Sequence, residues 1–70
     1  MPLSIEIDHE EDGRFVAEIP DLPGVLAYGV SEQEVLAKVQ ALALRVIADR
    51  IEHGEAVPVV ATVFSVQPHA

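Results

Sequence analysis

Cysteine and tryptophan are absent from this chain, methionine occurs once, and the only aromatic residues are two phenylalanines and one tyrosine. Without cysteine there is neither a disulfide frame nor a cysteine-based zinc site to hold a small domain together. A reducing, cytoplasmic setting fits that usage. Basic residues are also scarce: Arg14, Lys38, Arg45 and Arg50 stand against twelve acidic ones, for a formal net charge of -8. Nucleic-acid affinity comes largely from cationic side chains displacing counterions, so direct binding of DNA or RNA is disfavoured. Such acidity suits a basic protein partner, and it is equally a solubility device. No apolar run approaches the roughly 20 residues of a membrane span. The N-terminal stretch MPLSIEIDHE has neither the basic flank nor the apolar core of an export signal, and no membrane association is expected. A Gly-rich phosphate loop, an HExxH pair and a recognisable nucleophile constellation are all missing, so no cofactor is implied.

Seventy residues make one domain, here residues 1–70. A chain of this size buries only about 60% of the surface its unfolded form exposes. Its core is therefore marginal, and association into a dimer or tetramer is a reasonable expectation.

Leu3, Ile5 and Ile7 alternate with Ser4, Glu6 and Asp8, the period of a strand with one wet face. His9 to Gly13 follows, and its Asp12-Gly13 pair between alternating runs is a hairpin signal. Phe15, Ala17 and Ile19 alternate with Val16 and Glu18 as a second, antiparallel strand. The segment IPDLPGV, Ile19 to Val25, then interrupts the sheet. Pro20 and Pro23 cannot donate to a ladder and Gly24 tolerates positive φ, so the segment reads as a corner leading into a third strand over Val25 to Val30. Tyr28 on that strand is expected to fill core.

Ser31-Glu32-Gln33-Glu34 has the form of a capping box, with Val30 and Val35 placed as a hydrophobic staple. Val35, Leu36, Val39, Leu42, Ala43, Val46 and Ile47 recur at helical spacing and predict a helix with a wide apolar stripe, ending near His53-Gly54. Ala37, Ala41, Leu44, Ala48 and Ile51 form a second line. It is either a close helix-to-helix contact or simply good helix formers facing water. Val57 to Val66 is rich in β-branched residues and predicts a fourth strand covered on both faces, and Gln67 to Ala70 reads as a tail. The expected fold is α+β, in the order β-β-β-α-β. It has a four-stranded, mostly antiparallel sheet of order 3-2-1-4, a right-handed crossover to the last strand, and one helix on one face. The opposite face, carrying Val16 and part of strand four, would remain uncovered and is a candidate contact surface.

Chemistry is thin. Asp8, His9, Glu10, Glu11 and Asp12 crowd a hairpin tip, where charge mainly serves solubility. His53 and His69 sit at a helix end and in the tail, with no Ser, Cys or fixed carboxylate at a recognisable spacing. The element order resembles the front half of a ribonuclease H fold, whose two-metal chemistry needs acids on strand one, helix one and strand four. Asp8 and an early helix glutamate could stand for two of these, but the fourth segment carries no acid.

The stretch from Asp12-Gly13-Arg14-Phe15-Val16-Ala17-Glu18-Ile19-Pro20-Asp21-Leu22-Pro23-Gly24-Val25 through Gly29 and the capped helix resembles the HicB-type antitoxin family. The likeness runs from about Asp12 to Pro58 and covers most of the chain. It implies a truncated, partial ribonuclease H-like fold without catalytic power, and a binding module that covers a small basic HicA-type ribonuclease toxin. Self-association is also implied. The family usually adds a C-terminal DNA-binding module, which has no counterpart in this sequence, so direct DNA binding by this chain is not expected. The residues expected to meet the partner are Glu10, Glu11 and Asp12 on the hairpin and Asp21, Leu22 and Pro23 on the corner. For self-association the candidates are Val16 on the sheet and Ala37, Ala41, Leu44 and Ala48 on the helix. A self-assembling subunit with another partner and a metal-dependent nuclease built on Asp8 are the alternatives.

Overall fold

The structure, a computed structural model, describes residues 3–68. The end of the expected tail and His69 lie outside the described residues. Three short strands, β1 (Glu6–His9), β2 (Phe15–Glu18) and β3 (Leu26–Gly29), precede a long helix α1 (Glu32–Glu52) and a single helical turn α2 (Val60–Val63). The strands form an antiparallel meander with β2 in the centre.

The β1 to β2 connection closes around Glu11-Asp12-Gly13. The Glu10 amide donates to the Arg14 carbonyl at 2.7 Å and the Gly13 amide to the Glu10 carbonyl at 3.0 Å. With Gly13 at φ 93° this is the three-residue hairpin loop, a turn followed by a left-handed residue, rather than a two-residue one.

The corner from Ile19 to Val25 is two consecutive turns. The Leu22 amide donates to the Ile19 carbonyl at 2.9 Å, and the Val25 amide to the Leu22 carbonyl at 3.0 Å. Each turn has proline in its second position, where the fixed φ is pre-set and no amide is required. Gly24, third in the second turn, has φ +88°, which a type II turn demands and a Cβ would strain. A further bond from the Ile19 amide to the Val25 carbonyl, 3.1 Å, ties the two ends together. The three-residue step places Ile19, Leu22 and Val25 in the core while Pro20, Asp21, Pro23 and Gly24 face water.

Helix α1 starts where Ser31, in extended conformation, accepts the Glu34 amide on its hydroxyl at 3.1 Å. The expected staple is not sealed, since Val30 is 75% exposed. Val35, Val39 and Ala43 are buried against Ala17, Ile19, Leu22 and Val25, with Leu42, Val46 and Ile47 packed around them. The helix lies on β2 and β3. The approach at its start is close. A Cβ on Gly29 would meet the Val35 backbone nitrogen at 3.0 Å, so only glycine lets β3 run this near the first helical turn. The helix stops at His53, whose amide donates to the Asp49 carbonyl at 3.1 Å.

The expected fourth strand does not form, and the 3-2-1-4 order is wrong. The sheet of the described residues has three strands, in order 1-2-3. Val57 to Phe64 satisfies its backbone locally instead. The amides of Val60, Ala61 and Thr62 donate to the carbonyls of Val57, Pro58 and Val59 at 3.0 to 3.1 Å, and the Thr62 hydroxyl adds a bond to the Val59 carbonyl at 2.8 Å. Pro58 favours this outcome, because its fixed φ opens a helical turn and its missing amide weakens a ladder. The β-branched composition was a poor guide, since such residues are rewarded only where neighbours cover them. Phe64 is 68% exposed. With no fourth strand there is no crossover, and β1 remains an edge.

Candidate functional site

In a meander, successive turns fall at opposite ends of the sheet. Glu10, Glu11 and Asp12 therefore sit at one end of β2, while Asp21, Leu22 and Pro23 sit at the other, about 20 Å away at a strand rise of about 3.3 Å per residue. The structure does not bring the two groups together. Within the hairpin, Asp12 is tied up locally. Its carboxylate accepts the Arg14 amide at 3.1 Å and the Arg14 Nε at 2.8 Å. The Arg14 amide first, and then the guanidinium, hold its carboxyl below the ordinary carboxylate range. Glu11 is exposed and Glu10 partly covered. Of the corner residues, Asp21 and Pro23 are exposed, but Leu22 is buried in the core and offers no contact surface.

The sheet has a second side that α1 does not touch. Cross-strand pairing sets Glu6 beside Glu18 beside Leu26, and Asp8 beside Val16 beside Tyr28. These six residues share the face opposite the core positions Ala17 and Ala27, because side chains alternate along each strand. Leu26 and Tyr28 are 41% and 42% exposed. The Arg14 guanidinium carbon stands 4.7 Å from the centre of the Tyr28 ring, in cation–π range. Tyr28 is thus a surface ring rather than core filling. Its parity with Leu26, opposite to that of buried Val25, was the signal in the sequence that could have shown this. Val16 does lie on this face, half-buried, between Asp8 and Tyr28.

The second helix line faces water. Ala37, Leu44 and Ala48 are exposed, Ala41 is partly covered, and Leu44 is 68% exposed. At the start of the helix, Lys38 Nζ lies 3.0 Å from Glu34 Oε1 and donates to the Tyr28 carbonyl at 3.3 Å. Lys38 chiefly, with a backbone bond from Val30, keeps the Glu34 carboxyl below its usual range.

A nuclease site would need Asp8 and a helix glutamate to converge. Asp8 lies on the open face of β1, whereas Glu32 and Glu34 open the helix that covers the other face. Among the described residues no group of three His, Cys, Asp or Glu side chains is placed to hold a metal ion, and no helix is long and apolar enough to cross a membrane. One mainly apolar cavity of about 520 Å³ lies between the corner and the segment after α1, against Leu3, Leu22, Arg50, Val57 and Val59. Asp21 and Arg50 are the charged residues of its lining.

Compared with protein-family models, with curated proteins and with solved structures, the chain matches none.

Proposed function

We propose that the chain is a non-catalytic binding module of the HicB antitoxin type, acting in the cytoplasm by covering a small, basic HicA-type ribonuclease through protein–protein contact. The observation that carries this reading is the stretch Asp12 to Val25, whose likeness to the family's segment is matched by a coherent structural role. It is a hairpin end, a central strand and a double turn in one piece. The strongly acidic balance supports a basic partner, because complementary charge speeds encounter and disfavours wrong partners.

Self-association belongs to the same proposal. The exposed Leu44 in a line of alanines is the feature that favours it, and it equally serves the reading in which the chain is a self-assembling subunit with another partner.

The neighbouring reading frames test the proposal: a small basic protein is expected in one of them, and coexpression with it is the assay. Stoichiometric copurification, and loss of that protein's messenger RNA cleavage on adding the chain, are the expected results. A basic neighbour that cleaves RNA equally well with the chain in excess would remove the antitoxin role.

A further inference from the structure

We infer that the open face of the sheet, built from Glu6, Asp8, Val16, Glu18, Leu26 and Tyr28, is a docking surface for a basic amphipathic helix of a protein partner. Two features of the face define that occupant. Its centre and β3 side are apolar, with Val16, Leu26 and Tyr28 adjacent across the strands, while its β1 side and one end carry Glu6, Asp8 and Glu18. An apolar patch set against carboxylates is complementary to a segment with apolar side chains on one face and lysine or arginine beside them.

The dimensions agree. Three strands at about 4.8 Å spacing place the outer two about 10 Å apart, the width of one helix. Helix α1 already covers the other side of the same sheet.

The internal contacts of the face point to a cation as well. Glu6 and Glu18 stand directly opposite each other, a like-charge pair that a lysine or arginine between them would relieve. The Arg14 guanidinium already occupies the Tyr28 ring at 4.7 Å, so a partner's cations are expected at the Glu6–Glu18 pair and its apolar side chains beside the ring. A second copy of this chain is the poorer occupant, because the face carries three carboxylates against the single guanidinium of Arg14, so a two-fold contact would bring together two patches of net negative charge.

The inference rests on the proposed binding role only in taking the partner to be a basic protein. The probe is a synthetic amphipathic helix with leucine on one face and lysine on the other, titrated into the isotopically labelled chain and followed by amide chemical shifts. A companion peptide carries glutamate for lysine. The lysine peptide is expected to shift the β1, β2 and β3 amides, and the glutamate peptide to leave them unmoved. The Glu6→Lys, Glu18→Lys double variant should bind the lysine peptide about tenfold more weakly or worse. Glu52→Lys at the far end of α1 should change binding by less than about twofold.

Should the double variant fail to fold, Leu26→Ser, which keeps every charge, is expected to weaken binding in its place. Shifts centred on Glu10 to Asp12 or on the Leu44 line, equal binding of the glutamate peptide, or undiminished binding by these variants would overturn the inference. A dimer of the chain alone that the double reversal dissociates would assign the face to self-association instead. Peptide capture by a chain that leaves the ribonuclease active would remove the toxin and keep the surface. Inhibition undiminished by the double reversal would do the opposite.

Discussion

Leu22 stands between Asp21 and Pro23 in the most distinctive stretch of the chain, and the three residues have different physical roles. Leu22 is buried against the helix face of the sheet, while its two neighbours project into water. Truncation to alanine removes apolar contacts from a core only seven buried residues in size among those described. Leu22→Ala should therefore cost about 2–5 kcal/mol, enough to unfold much of a marginally stable domain, whereas Asp21→Arg should stay within about 0.5 kcal/mol. Chemical denaturation of both variants checks this, and similar midpoints for the two would show that the corner is not anchored as described. Sequence alone made the segment a corner through its prolines and glycine. It could not tell which of its residues points inward, because that depends on where the two turns leave the chain relative to α1.

At the scale of the element, helix α1 was the most legible part of the sequence. Its buried positions Val35, Val39 and Ala43 and its Ser31 cap follow from spacing and from the need to satisfy the first free amides. What spacing did not reveal is the partner of Glu34, which pairs with Lys38 one turn on. That pair has a pH signature. The Glu34 carboxyl is held below its ordinary value in the folded state, so the ionised form favours folding. The contribution is complete above the unfolded-state value and disappears as pH falls through the lowered folded-state value. The parent should accordingly resist urea better than Glu34→Gln at pH 7, and the two midpoints should converge in strong acid. A gap that persists or widens on acidification would mean that the glutamate acts through packing rather than charge. The hairpin carboxylates and Asp21, expected to belong to one contact surface, were visible as charge in the sequence, but their separation follows from antiparallel topology and not from their composition.

Across the whole molecule, the chain is longer than a compact body of its size. Its radius of gyration is 14.8 Å and its longest dimension 58 Å, against about 11 Å expected for the radius of a compact 70-residue domain. Part of the length is α1 itself, about 32 Å for its 21 residues. The rest comes from the segment after Glu55, which carries no buried residue among those described. This gives the loss of the fourth strand a measurable consequence. Phe64→Ala should alter stability by less than about 0.5 kcal/mol, whereas a phenylalanine buried in a sheet would cost about 3–5 kcal/mol. Thermal melts distinguish the two, and a large loss would place Phe64 in a core that the described arrangement does not have.

By itself the sequence determined whatever rests on local geometry: the alternation that makes β1, β2 and β3, the glycine and prolines that turn the chain between them, and the capped amphipathic helix. These depend on φ preferences, side-chain parity and hydrogen bonds a few residues apart, all of which are written in neighbouring residues. The tertiary structure decided the rest. Whether Val57 to Val66 pairs with β1 or closes its own turn depends on a competition between distant and local hydrogen bonds, and β-branched composition does not arbitrate it. Whether Leu26 and Tyr28 fill the core or line an open face depends on which side of the sheet α1 occupies, and the helix covers only one.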